Sequence, residues 1–324
     1  MKITDKNLKL VTIPISEIDE SDKRFRIRAD IELKTMISSI KKIGLISPLI
    51  LIQKKSTRLY TIISGFRRYH ALKKNKINLL KAYIIINDWN EKDLFNLVLS
   101  EFLSHNQPNV IEKSIIIKKL EDFYNQNTIV NKYFPLLNLS LSQHIYERTL
   151  PLSRLSKKIC KAIIQGQIHQ DIGLILARLD VAERKLLFNF LVQLNFSVSN
   201  QFKLVEILME LSKRDDCKIS EIILDEKVNK ILADSNVDQK KRSERILNFL
   251  KERRHPLLTK AVHKFEENRR QIHLPPEISF TPPPFFEGPN YRINFQFKNL
   301  IELQKRLKEL EKISMTEALK KILQ

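Results

Sequence analysis

The 324-residue sequence predicts an α+β N-terminal domain, an all-α helix-turn-helix region behind it, and a small C-terminal strand–helix module. Three observations predict this. β-rich runs alternate with helical periodicity over the first 90 residues, and strand signals nearly vanish between 91 and 215. An alternating segment followed by a leucine-striped helix then closes the chain. The charge balance, 57 Lys+Arg against 37 Asp+Glu, is formally +20 and calls for an anionic partner, nucleic acid before a membrane surface. Five glycines standing apart exclude the clustered-glycine phosphate loops and dinucleotide fingerprints. Cys160 and Cys217 fit neither a disulfide framework nor a metal-ligand spacing, so reduced thiols and no metal site are expected. The charged N-terminus lacks an apolar signal region, and no apolar run approaches the ~20 residues of a membrane span. A soluble cytoplasmic protein with no membrane partner is the expectation.

The N-terminal domain is placed at 1–90. Residues 11–15 predict a short strand. Residues 31–43 carry Leu33, Met36, Ile37 and Ile40 at helical spacing, and Gly44 stops that helix. Runs at 49–53 and 60–63 read as strands separated by the polar stretch KKSTR. Gly65 breaks the chain, 67–76 can be helical, and 82–86 (AYIII) is another buried strand. A helical domain at 91–215 is built from 91–105, 109–126, 140–149, 153–165, 169–178, 182–194 and 198–213. A charged helical connector follows at 216–272, and 239–270 within it holds 11 lysines and arginines against 4 acids. Residues 273–290 hold six of the chain's 12 prolines and read as a linker or extended arm. The last module, 291–324, has a strand at 291–297 and a helix at 300–313. Its stripe of Leu300, Leu303, Leu307 and Leu310 forms a short seam. A lone strand is unstable, so this module either pairs with a second copy or docks on the body of its own chain.

The strongest local chemistry lies in TIISGFRRYHA (61–71). A buried strand ends at Ser64, Gly65 permits an unusual backbone angle, and a helix starts at once. Unpaired N–H groups and the helix dipole make such an end an anion site. Arg67 and Arg68 put two guanidinium groups in the first turn, where cations oppose the dipole and stability alone would not select them. They serve either a phosphate or nucleotide pocket, or neighbouring acids and solvent. A second stretch, SIKKIGLISPLIL (39–51), is by itself an ordinary helix–turn–strand.

These stretches together carry a family resemblance. IPISEI (13–18), SIKKIGLISP (39–48) and SGFRRYHA (64–71) resemble the N-terminal domain of ParB, the chromosome- and plasmid-partitioning family. ESDKRFRIRADIE (20–32) is similar to the family's arginine-containing segment, and LSEFLSHNQPNVIEKSIIIKKL (99–120) to its third box. The likeness spans roughly 10–215. It implies a ParB/sulfiredoxin-like N-terminal fold that binds CTP and Mg²⁺, a helix-turn-helix that reads double-stranded DNA, and a dimerising C-terminus. It also implies a nucleoid-associated homodimer with a partition ATPase as partner. The roles it implies are segregation, nucleoid organisation or transcription regulation. By position, Gly65, Arg67 and Arg68 would contact the triphosphate, with Ser64 just before them. Glu101 would be the acid that begins the third box, and it is the one candidate catalytic group.

Departures from the pattern narrow that expectation. Phe66 stands where the family has an acid, Phe102 where it has a Mg²⁺-binding Asn, and His105 where it has Arg. A phenylalanine cannot ligate Mg²⁺, which takes hard oxygen donors, so the sequence argues against metal-assisted CTP hydrolysis while keeping CTP binding. Sulfiredoxin chemistry is excluded, because no cysteine precedes Cys160. An alternative is a ParB-fold nucleotide-dependent enzyme (CTPase, kinase or nuclease-like) using Glu101 or Glu112 as base or metal ligand. A DNA-independent assembly adaptor is a third reading.

The DNA-reading candidate is 127–150. Residues 129–134 can form a first helix and 135–139 a turn, with Asn138 as its left-handed residue. Ser140 then opens a second helix, with Gln143 completing a capping box. Ser142, Gln143, Tyr146 and Arg148 take the positions from which base edges are contacted. Arg154, Lys157, Lys158 and Lys161 form a basic ridge suited to phosphates. A plain helical hairpin with a solvated face is the alternative. His169, at a helix start, is assigned no chemistry.

Overall fold

Residues 8–28, 33–54, 57–86 and 89–323 are described in a computed structural model, and the chain divides into two compact units, Met1–Gln193 and Leu194–Gln324. The first unit opens with β1 (Leu8–Pro14), α1 (Lys34–Ile43), β2 (Leu49–Gln53), β3 (Tyr60–Ser64), α2 (Phe66–Lys74) and β4 (Leu79–Ile85). The strands stand in the order β1-β4-β2-β3; β2 and β4 run parallel and the other two pairs antiparallel. Successive side chains of a strand point to opposite faces, so adjacent Ile62 and Ile63 enter different cores. Leu49, Leu51, Ile62 and Ala82 pack with Ile40 of α1 and Leu72 of α2, while Ile63 and Ile85 pack with Leu94, Phe95 and Ile116. Burial on both faces is why these strands read as continuous apolar runs. The strands expected at 11–15 and 82–86 begin earlier, because β1 pairs with β4 over their full lengths. The helix expected from 31 is described from Lys34; positions 31 and 32 lie outside the described residues.

Helices α3 (Glu91–His105), α4 (Val110–Leu120) and α5 (Gln126–Thr128) follow, the last running into a π turn at Ile129–Tyr133 and a 3-10 turn at Pro135–Leu137. Then come α6 (Gln143–Thr149), a 3-10 turn at Leu150–Arg154, α7 (Lys157–Ile164), α8 (Gln170–Arg178) and α9 (Val181–Leu194). Asn90 caps α3 through Asp93 N, and Asn109 with Glu112 forms a reciprocal capping box on α4. One apolar cluster runs from Phe25 through Ile63 and Phe95 to Phe134 and Tyr146, so the boundary expected at 90 falls inside a continuous core.

The second unit holds α10 (Val198–Arg214), α11 (Ile219–Ile223), α12 (Glu226–Ala233), α13 (Gln239–Arg254) and α14 (Pro256–Ile272). It ends with β5 (Ile278–Thr281), β6 (Arg292–Phe295), α15 (Leu300–Ser314) and α16 (Glu317–Leu323). The proline-rich stretch differs from the linker expected of it. Between its proline groups, β5 pairs antiparallel with β6 and buries Ile278 and Phe280. Proline is tolerated at the flanks of so short a two-stranded sheet, where no ladder bond is lost. Phe280 joins Phe265 and Ile272 of α14 and Ala318 and Ile322 of α16 in one cluster, and Tyr291 Oη donates to Ile322 O at 3.0 Å. The final strand thus finds a partner within its own chain, while Leu300 and Leu307 of the leucine stripe stay exposed. Among the described residues, no helix is long and apolar enough to cross a membrane.

Candidate functional site

A cavity of about 270 Å³ opens where β3 passes into α2. Gly65 makes the turn in a left-handed conformation, φ 106° and ψ 20°, and serves as the N-cap of α2. A Cβ there would stand 3.0 Å from Leu49 Cγ, so geometry and space both require glycine. No side chain caps α2, and its first turn holds no acid, which leaves its N-terminal N–H groups and dipole toward the cavity wall formed by Gly65, Phe66, Arg67 and Arg68. Opposite, Val98, Glu101, Phe102 and His105 share one face of α3 at helical spacing. Ser64, Gly65, Arg67, Arg68 and Glu101, all singled out from sequence, line this single cavity.

Their bonds distinguish them. Ser64 Oγ donates to the Glu101 carboxylate, 3.0 Å from each oxygen. Arg68 Nη1 donates to the carbonyls of Ser47 at 2.7 Å and Pro48 at 2.6 Å, which ties the helix to the glycine–proline turn before β2. These acceptors are neutral, so the charge of Arg68 is retained; burial pulls its pKa down, and Glu101 nearby opposes that shift. Glu112, the other acid considered as a base, is buried. Its Oε2 accepts from Asn109 N at 3.1 Å, and its Oε1 lies 3.6 Å from Arg28.

Around α6 the arrangement differs from the sequence expectation in three respects. Ser142, not Ser140, is the N-cap residue, and Gln143 begins the helix. Tyr146 is buried, stacks 6.4 Å from Phe134 and donates its hydroxyl to Glu121 Oε1 at 2.6 Å. Burial and that carboxylate raise the phenol's pKa. It is a core residue and does not reach base edges. Arg148 is paired with Asp171 at the start of α8. Gln143 stays exposed and Ser142 half-exposed, and Asn138 does take the left-handed conformation, φ 50° and ψ 51°. Arg154, Lys157, Lys158 and Lys161 are all exposed, and none has an ion pair among the described residues.

Residues 2–101 match the ParB N-terminal domain family. The chain is 26% identical over 167 residues to a nucleoid occlusion protein of Lysinibacillus sphaericus, covering 50% of this chain and 52% of that protein. It is 28% identical over 204 residues to a probable chromosome-partitioning protein ParB of Campylobacter jejuni, covering 62% and 70%. The chain therefore spans about half the length of the nucleoid occlusion protein it matches. Among solved structures, it is similar to truncated Caulobacter crescentus ParB complexed with CTP-γ-S (19% identity, TM-score 0.26, 55% of this chain and 97% of that one). It is also similar to truncated Caulobacter crescentus ParB on the centromeric parS site (14% identity, TM-score 0.32, 59% and 96%).

The cavity also has lining residues that sequence reasoning passed over. Arg26 and Arg28 line the same cavity, on a segment whose neighbours Phe25 and Ile27 are buried. The alternation Arg-Phe-Arg-Ile-Arg at 24–28 was the available signal, since apolar side chains turn inward and basic ones do not. Lys119 of α4 fixes this segment by donating to the carbonyls of Lys23 at 3.0 Å and Arg24 at 2.6 Å. Positions 29–32, the end of the resembling stretch, lie outside the described residues.

Proposed function

We propose that this chain is a ParB-type DNA-binding protein whose N-terminal domain takes CTP or a related nucleoside triphosphate. The role we assign is chromosome or plasmid segregation or nucleoid organisation, in line with the names of the two relatives. The observation that carries the reading is the convergence of Ser64, Gly65, Arg67, Arg68 and Glu101 on one cavity at the uncapped start of α2. Guanidinium forks and helix N–H groups are the two donor types that suit phosphate oxygens. The DNA-reading element we propose is a helix-turn-helix ending in α6, with Ser142 and Gln143 toward the bases and Arg154, Lys157, Lys158 and Lys161 on the backbone. The exposed Leu300 and Leu307 of α15 favour a homodimer through that stripe. The enzymatic reading loses one of its two candidate bases, because Glu112 is spent on capping α4 and on Arg28.

The test is calorimetric titration of the full chain with CTP, ATP and GTP, with and without duplex DNA, comparing wild type with Arg67→Ala. We expect CTP binding that weakens about tenfold or more in Arg67→Ala. Intact binding in that variant would remove the pocket assignment. A duplex complex indifferent to salt would remove the DNA assignment.

A further inference from the structure

We infer that a second cleft of the first unit, bordered by α4, α6 and α8, binds a small organic monocarboxylate: an apolar body carrying one carboxylate. The cleft measures about 510 Å³, a size that encloses a small ligand. Leu152 is buried in its wall, and Val110, Leu139, Ile145 and Leu174 line it half-buried. These four side chains still have apolar surface to withdraw from water, which a hydrocarbon body would cover.

The polar lining selects the charge of the ligand. Lys113 lies close to the N-terminal end of α4, where a cation opposes the helix dipole, so helix stability does not choose it. Its Nζ stands 3.5 Å from the carbonyl of Asn138, the far limit of a hydrogen bond, and no acid among the described residues pairs with it. Burial pulls its pKa below the ordinary value of 10.5. The other charged lining residues, Arg148 and Asp171, are paired with each other. Thr149 Oγ is spent on the carbonyl of Ile145 at 2.7 Å. The lining therefore carries one net positive charge, on a single ammonium. A phosphate would call for a free guanidinium fork or open helix N–H groups. Here Asp171 holds the fork of Arg148, and the Asn109–Glu112 capping box occupies the start of α4. One ammonium beside apolar walls matches one carboxylate on a hydrocarbon.

Ligand-observed NMR titration of the full chain tests this, with phenylbutyrate as the probe, its neutral amide as the uncharged control and inorganic phosphate as the competitor. Phenylbutyrate should bind at least about tenfold more tightly than the amide. Lys113→Met, which keeps the apolar stem, should weaken phenylbutyrate about tenfold and leave the amide within about twofold, so the amide also reports that the variant is folded. Phosphate at the same concentration should not displace the probe. The inference is overturned by an amide that binds as well as the acid, by a Lys113→Met variant that holds phenylbutyrate unchanged, or by full displacement with phosphate. Absence of phenylbutyrate binding at about 10 mM overturns it as well. None of these results bears on the nucleotide reading, which concerns a different cavity.

Discussion

Arg154, Lys157, Lys158 and Lys161 stand exposed around the start of α7, whereas the arginines of 239–270 are largely spent on acids of their own unit. Arg245 pairs with Asp234, Arg253 with Asp215 and Asp225, Arg254 with Glu206 and Glu210, and Arg269 with Glu266. Arg242 donates to the carbonyl of Leu232 at 3.1 Å. By count along the chain, 239–270 is the more basic region. In space Arg245, Arg253 and Arg254 tie α13 to the segments that carry those acids, while Lys240, Lys241, Lys251, Lys260, Lys264 and Arg270 stay exposed without an ion pair among the described residues; the ridge differs in that none of its four cations is paired. Local charge density is thus a poor guide to a nucleic-acid face until the acids from other segments are placed.

The largest effect should come from the ridge. Replacing Lys157, Lys158 and Lys161 together by Ala should weaken duplex binding about 100-fold near 0.1 M salt and lower the salt slope by about 3. Fluorescence anisotropy across a salt series measures both; an unchanged slope would mean that the ridge touches no phosphate. The matching change in the other region, Arg253→Ala with Arg254→Ala, should cost about 1–2 kcal/mol of stability in urea unfolding. It should shift DNA affinity less than about twofold. If that pair instead weakens DNA binding as the ridge triple does, the distinction between the two regions fails.

The smallest effect is on pH. The Asp215 carboxyl is held below its ordinary value of 3.8 by bonds to Arg214 and then Arg253. A depressed carboxylate contributes stability that is complete above its unfolded value and is lost as pH falls through its lower folded value. Amide exchange between pH 6 and 3 should therefore show the ends of α10 and α13 loosening with acid in wild type. Asp215→Asn should already be loosened at pH 6 and respond less to acid. Equal acid responses would show that Asp215 holds nothing.

Much of the cavity was legible because its logic is local. Gly65 before an arginine pair, directly after an apolar run, encodes strand end, left-handed turn and helix start within a few residues. Tyr146 was misread for the opposite reason. Its spacing places it among Ser142 and Gln143, but its ring belongs to a core completed by Phe134, and its hydroxyl to Glu121, 25 residues away. A tyrosine whose polar tip has a buried partner looks from sequence like a surface residue. Arg148 likewise appears available until Asp171 is set beside it. The proline-rich stretch hid a strand because proline content reports what its own residues cannot donate, not what the four residues between them can pair with.

The sequence by itself determined the α+β start, the largely helical remainder, the glycine turn and, among the cavity residues, Ser64, Gly65, Arg67, Arg68 and Glu101. These follow from backbone conformation and side-chain period, which act over a few residues. Tertiary structure alone decided that Arg26 and Arg28 join Arg67 and Arg68, that Glu112 is a cap, and that Arg148, Arg253 and Arg254 are paired with acids far along the chain. Those outcomes depend on partners distant along the chain, and charge compensation is set by separation in space.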